Sequence, residues 1–470
     1  MYTKVIKTIL KIILLLLLAA GIGVSVVWVV NGRPEIGFSN VLGNRAIIYS
    51  QAYKSGDRTG FASDALYLVS SIEAVHPIFA REGRLNDDYF SIRDDFLEYS
   101  LNNDISRLDF AFAAALYIKT LRDGHMNAAL SCSITNLPVI YGGRLEINWR
   151  ARGDELYLLD ENNNFTLTRI ISIGGIDTAV VFETIEKYFY FENESDRIHR
   201  LSSFSLYGDI IEKAGGVIAD NAVLLTFSGE DGDRQEEFPL VYSDNSSNER
   251  SSPAYIVRYR YMDGILLIDL RTFADGLHIT ETVNAIQLAL QNGYSKFIID
   301  LRGNTGGNSL VGQRLLEAMG LSLPSFGSVL RLSDLSVNNI SSFRQYRRLH
   351  DLGVEYISYR PNTSNAKNPN NVFVSVLTDS LSYSSSLMTA VWIKDGGFGN
   401  IIGSPSSNSP TSFGNWAGRI TLPFSNINAG ISSTQWLRPD INADQYTLWP
   451  DIMIDPSLAL DTAIEFLHGM

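Results

Sequence analysis

From Gly264 onward the chain alternates short apolar runs with amphipathic stretches, and this alternation restricts the folds open to it. Ile265–Leu270 reads as a buried strand, Ile279–Gln291 as a helix, Lys296–Leu301 as a strand and Leu310–Met319 as a helix. Val372–Leu377, Ser385–Lys394 and Ile401–Ile402 continue the rhythm as strand, helix and short strand. Strands alternating with helices predict a mostly parallel sheet with helices packed on it. Ligands of such sheets bind beyond the carboxyl ends of the strands. The chain leaving Leu301 and the chain leaving Leu377 are therefore where chemistry is expected. Residues 325–370, rich in Ser, Asn and Arg, form a long insertion of the kind that often carries function.

Both loops hold unusual residues. The first reads Asp300-Leu301-Arg302-Gly303-Asn304-Thr305-Gly306-Gly307-Asn308. Adjacent glycines let bare backbone N–H groups approach a reacting carbonyl. A phosphate loop is excluded, because no G-K-[ST] follows. The second, Thr378–Ser386, has five serines among the seven residues 380–386 and leads into an apolar helix. A serine at a helix start sits among unpaired N–H groups at the positive end of the macrodipole, where an oxyanion is stabilised. The same serines also suit plain helix capping.

A serine nucleophile needs a base near neutral pH, and histidine serves without a large pKa shift. The chain has six histidines. His125 follows Arg122-Asp123-Gly124, where a glycine breaks the preceding helix. His76 precedes Pro77 within a helical stretch. His199, His278, His350 and His468 have no distinctive setting.

Upstream, Ala62 to about Arg122 has helical periodicity, with Asp87–Leu101 as a second helix. Ser106 and Asp109 form a capping signal for a third, alanine-rich one. Residues 130–253 carry β-type runs at Leu145–Trp149, Leu156–Leu159, Thr168–Ile173 and Ala222–Phe227. Helices are expected near Thr178–Tyr188 and Phe204–Ala214. This is a small α+β module, closed by the polar stretch Asp244–Pro253. At the start, Lys4, Lys7 and Lys11 precede an uncharged run, Ile12–Val30, which as a helix would span about 28 Å. Residues 1–31 are thus expected to be a cytoplasmic tail and membrane signal anchor, with the rest extracytoplasmic. The competing reading is a cleaved signal peptide and a secreted protein.

Composition narrows the function. Hydrophobic residues make up 45% and charged residues 19% of the chain, which excludes a mainly disordered, collagen-like or coiled-coil protein. A net charge of −13 opposes general nucleic-acid binding. The lone Cys132 forms neither an internal disulfide nor a cysteine zinc site. There is no H-E-x-x-H motif and no tight histidine cluster in the sequence, and neither a metal nor an organic cofactor is expected.

Taken together, these segments resemble the serine peptidases of the C-terminal processing (tail-specific) and tricorn type. The helical stretch with His76-Pro77 that ends in Asp123-Gly124-His125 is similar to that family's cap, Asp300–Gly307 to its "DLRGNxGG" segment, and Val374–Gly403 to its nucleophile segment. Trp449-Pro450-Asp451-Ile452 with Asp455 and Ala463-Ile464 resembles the family ending. The resemblance implies an α/β fold with a crotonase-like (ClpP-like) catalytic domain at 254–470. It also implies a linker and helical cap at 32–129 and a PDZ-like module at 130–253. The family's nucleophile precedes the aspartate of the following helix by eleven residues. Counting from Asp395 this gives Ser384, with Ser382, Ser385 and Ser386 left open. The implied oxyanion donors are the N–H groups of Gly307, or Gly306, and Ser385. One branch activates its serine with a lysine, but Ser409 occupies that position here. The other uses a histidine of the D-G-H segment, which maps to His125. Asp123 and Asp451 are candidates by type for the acid that orients it. The implied partner is a peptide or unfolded protein, beside the bilayer at the N-terminus. Leu387 stands where the family usually has glutamate, and the alternative is a peptide-binding or scaffold protein without catalysis.

Overall fold

The computed structural model describes residues 34–47, 60–81, 85–102, 104–126, 143–161, 163–230, 232–242 and 255–470. Cys132 lies outside them, as does the apolar run Ile12–Val30. Among the described residues no helix is long and apolar enough to cross a membrane. The longest, Phe61–Val75 and Leu277–Gln291, have 15 residues each. That is about 22 Å, against a hydrocarbon core of about 30 Å. The expectation of a single-pass membrane protein with a transmembrane helix is corrected accordingly.

The predicted βαβ rhythm is present. A six-stranded sheet runs in the order Val257–Met262, Ile265–Leu270, Lys296–Asp300, Phe373–Thr378, Gly399–Gly403, Ile452–Met453. All neighbours are parallel except the first pair, an antiparallel hairpin. The central strands are apolar almost throughout because both faces are covered. Helices Leu277–Gln291, Ser309–Ala318 and Ser385–Gly396 pack on one side, around Phe297, Ile299, Val374, Val376 and Ile401. The terminal helix Ala459–His468 covers Ile298, Leu377 and Ile402 on the other. Asp300 pairs with Leu377 in register, so both loops of interest leave the sheet at the same end.

The cap comprises helices Phe61–Val75, Tyr89–Tyr99 and Arg107–Lys119. Ser106 Oγ accepts from the Asp109 N–H, as the capping signal predicts. Residues 144–241 form an antiparallel sheet in the order Arg144–Leu145, Gly232–Val241, Ala222–Gly229, Phe165–Ile173, Glu155–Leu159, Trp149–Arg152. Helix Thr178–Tyr188 falls where expected. The helix expected near Phe204–Ala214 is present but shorter, as Gly208–Lys213, and a further helix, Glu194–Phe204, precedes it. Asn193 caps the first by accepting from the Asp196 N–H.

The insertion does not stand apart. Its strands Gly327–Arg331 and Tyr356–Tyr359 join Glu35–Gly37 and the hairpin Ser412–Thr421/Asn428–Leu437 in a five-stranded sheet. This sheet is tied to helix Ser385–Gly396 by Arg438, whose guanidinium meets Asp395 at 2.6 Å with both side chains buried. Removing one member leaves the other charged and without its partner in a dry site. Asp395→Ala is expected to lose about 3–5 kcal/mol of unfolding free energy. Urea denaturation of the two chains measures this.

Candidate active site

The loop after Lys296–Asp300 is organised by Asn304, which is fully buried. Its Nδ2 donates to the Leu270 carbonyl at 2.7 Å and its Oδ1 accepts the Gly306 N–H at 2.9 Å. Its carbonyl accepts the Tyr383 N–H at 3.0 Å, which stitches the glycine loop to the serine loop. A Cβ on Gly306 would lie 2.7 Å from the Tyr383 carbonyl oxygen and 2.9 Å from Ser384 Cβ. Only glycine permits that approach. Of the two glycines expected as oxyanion donors, Gly306 thus has its N–H engaged by Asn304.

Ser384 immediately precedes helix Ser385–Gly396 with φ 57° and ψ −121°. A non-glycine residue in this region is strained, and such strain concentrates at functional sites. The turn is held by the Ser384 N–H, which donates to Asn408 Oδ1 at 2.8 Å. The neighbouring serines are distinguished by their bonds. Ser382 Oγ donates to the Leu301 carbonyl at 2.9 Å, and Ser385 Oγ to the Gly307 carbonyl at 2.7 Å. Ser386 Oγ is buried without a partner. Ser384, Ser385, Gly307 and His125 line one cavity of about 130 Å³, walled by Leu387, Met388, Val391, Phe413 and Trp436.

His125 reaches this cavity because Asp123 shapes the backbone before it. Asp123 Oδ1 accepts the His125 N–H at 2.8 Å, and Oδ2 lies 3.1 Å from His76 Nε2. Burial opposes ionisation of Asp123. The His76 hydrogen bond and the nearby imidazoles outweigh it and hold the carboxyl below its ordinary range. Asp123 thus acts on the backbone of His125, and its ring partner is His76. Asp451 is not brought to the cavity. It pairs with Lys394 at 2.8 Å and accepts the Ile401 N–H at 2.8 Å.

The acid facing the His125 ring is Glu192, which the sequence reading did not single out. Its Oε1 lies 3.8 Å from His125 Nδ1. Its Oε2 accepts Asn408 Nδ2 at 2.7 Å and the Ser409 N–H at 2.5 Å. Asn408 therefore holds the serine turn and this acid at once. A Cβ on Gly124 would lie 2.4 Å from Glu192 Oε1, so the glycine before His125 makes room for the acid. Burial, with the charge of Asp196 next, pushes the Glu192 carboxyl up to about 8. Burial lowers the His125 pKa, partly offset by Asp123, and both ring nitrogens are buried without a hydrogen-bond partner among the described residues. Arg200 braces the pair, bonding Asp196 at 2.8 Å and the Gly124 carbonyl at 3.2 Å. The only local signal for Glu192 is the helix cap at Asn193 that follows it.

A strained serine at a helix start, beside a glycine N–H and a histidine, is an arrangement suited to serine-type hydrolysis. Residues 264–415 match the model of Peptidase family S41. The match supports a serine-type peptidase that acts on peptides or proteins. No curated protein sequence matches the chain. Among solved structures it is similar in fold to mature CPAF complexed with lactacystin, at 14% identity, covering 89% of this chain and 98% of that one, with a TM-score of 0.58. A structure of mature CPAF matches at 13% identity over 89% of this chain and 96% of that one, with a TM-score of 0.53.

Proposed function

We propose that the chain hydrolyses peptide bonds through Ser384, with His125 as general base and Glu192 as the acid that orients it. His125 Nε2 takes the Ser384 proton as Oγ attacks the carbonyl carbon, and returns it to the leaving amine. The N–H groups of Gly307 and Ser385 receive the oxyanion. The Ser385 N–H opens the helix and has no acceptor within it. Ionised Glu192 accepts the Nδ1 proton, which leaves Nε2 free to act as base. The observation that carries this reading is the Ser384 backbone, strained into a cavity that His125 and Gly307 also line. The parallel strands between Ile265 and Gly403 support a crotonase-like domain at 254–470, with 32–129 as its cap. The antiparallel strands and helix within 144–241 support a PDZ-like module at 130–253.

A second reading keeps the cavity and drops the turnover. Leu387, where the family resemblance implies glutamate, is buried in the apolar packing, which suits a peptide-binding protein. Fluorophosphonate labelling of the full chain separates the two. Labelling is expected in the native chain and lost in both Ser384→Ala and His125→Ala. A native chain that never labels, with its cavity intact by peptide binding, would decide for the second reading.

A further inference from the structure

Asp123, His125 and Glu192 each offer one ligand atom, and these atoms all lie within 4.8 Å of one another. From this we infer that the three side chains form a site for a single divalent transition-metal ion such as Zn²⁺, and that occupation of it holds the peptidase off. The inhibitory half rests on His125 being the general base. The ligand set is one imidazole and two carboxylates, which zinc accepts. Tetrahedral bonds of about 2.0 Å place ligand atoms roughly 3.3 Å apart, so a bound ion would draw His125 Nδ1 and Glu192 Oε1 together from 3.8 Å and the whole set in from within 4.8 Å.

The surrounding bonds fit a metal centre. Metal-bound carboxylates are usually held by further hydrogen bonds, which fix their direction. Asp123 is held by His76 and by the His125 N–H, Glu192 by Asn408 and the Ser409 N–H. Among the described residues, the one ligand lacking hydrogen bonds is the ring of His125, both of whose nitrogens are buried. That is the group a metal would bind. The ion has a way in from two sides, since His125 lines the cavity of Ser384 and Glu192 lines a separate cleft of about 540 Å³ with Arg122, Tyr190 and Tyr446. The charged groups around these atoms are Asp123, Glu192 and Asp196 against Arg200, so a cation meets net negative charge. A metal on Nδ1 would turn the ring from an acceptor of the Ser384 proton into a ligand anchored away from it.

The test is calorimetric titration of Zn²⁺ into the chelator-stripped full chain, its Glu192→Gln and His125→Ala variants, with circular dichroism to check folding. One equivalent is expected to bind the native chain. Affinity should fall at least tenfold in each variant, and fluorophosphonate labelling of the native chain should be lost in Zn²⁺ and recovered with chelator. No stoichiometric binding, or binding unchanged in both variants, overturns the site. If Glu192→Gln fails to fold, His125→Ala decides alone. Because binding is read without turnover, failures of the two readings are distinct. A chain that labels at Ser384 but binds no zinc refutes the metal site alone. Zinc bound at this site by a chain that never labels refutes the catalytic reading, and with it the inhibition.

Discussion

Ser384→Ala is expected to lower kcat/KM on a peptide substrate by about 10⁴- to 10⁶-fold while leaving the fold intact. The size follows from removing the atom that forms the covalent bond, since the oxyanion donors and the binding surface alone retain only modest catalysis. Ser385→Ala provides the contrast. Its hydroxyl is engaged by the Gly307 carbonyl, and its backbone N–H survives the substitution. It should lose far less, about tenfold or under, through looser placement of Gly307. Progress curves for the two variants, with thermal unfolding measured alongside, check both expectations. If Ser385→Ala were the more damaging change, the assignment by backbone strain would be wrong. The nucleophile would then have to be sought among the serines of the same turn.

How this site could be read from sequence differs residue by residue. The loops that hold Gly306, Gly307 and Ser384 could be picked out because a parallel sheet places such loops at strand ends, but Ser384 was singled out among their serines only by the family resemblance. The loop position of His125 was legible because helix end, glycine and histidine are adjacent, while its expected role came from the family resemblance. Glu192 was not, since nothing local links it to His125. The two meet only because helix Glu194–Phe204 docks against the turn through Asp196 and Arg200. Asp123 and Asp451 were of the right chemical type, but Asp123 bonds the His125 backbone and the His76 ring, and Asp451 bonds Lys394 and the Ile401 N–H. The long hairpin Ser412–Thr421/Asn428–Leu437, which supplies Phe413 and Trp436 to the cavity, also escaped the sequence reading. Residues 429–435 are all buried, so Asn428–Leu437 lacks the alternation that announces a half-exposed strand. It is rich in Ser, Thr and Gly, so apolarity does not announce it either. The insertion at 325–370 was seen as a segment, but its membership of the same sheet depends on pairings with strands far away in sequence.

The activity of the native chain, assayed in chelator, should rise with pH through a midpoint near 8, later than the roughly 6.5 of an ordinary histidine. Glu192 is the reason. A protonated Glu192 would donate to Nδ1 and place the imidazole proton on Nε2, which is the wrong tautomer for a base. Only the ionised carboxylate accepts the Nδ1 proton, and burial holds its pKa at about 8. Deprotonation is therefore what switches the site on, and the rate grows as pH rises. Glu192→Gln should lower kcat/KM by about 10²- to 10⁴-fold, as loss of an orienting charge does in comparable sites. It should also erase the midpoint near 8, leaving a profile set by His125, which burial places below its ordinary value. Stability should move the other way. Between the unfolded carboxyl value of about 4.3 and the folded value, the folded chain keeps a proton that the unfolded chain releases, so stability falls as pH rises. The glutamine variant escapes this loss. Its Tm relative to the native chain should therefore increase between about pH 5 and pH 8 and level off above. A merely structural Glu192 would change stability without moving the midpoint of the rate profile. A shifted midpoint together with a rising relative Tm would show that the chain retains a destabilising buried acid for the sake of its chemistry.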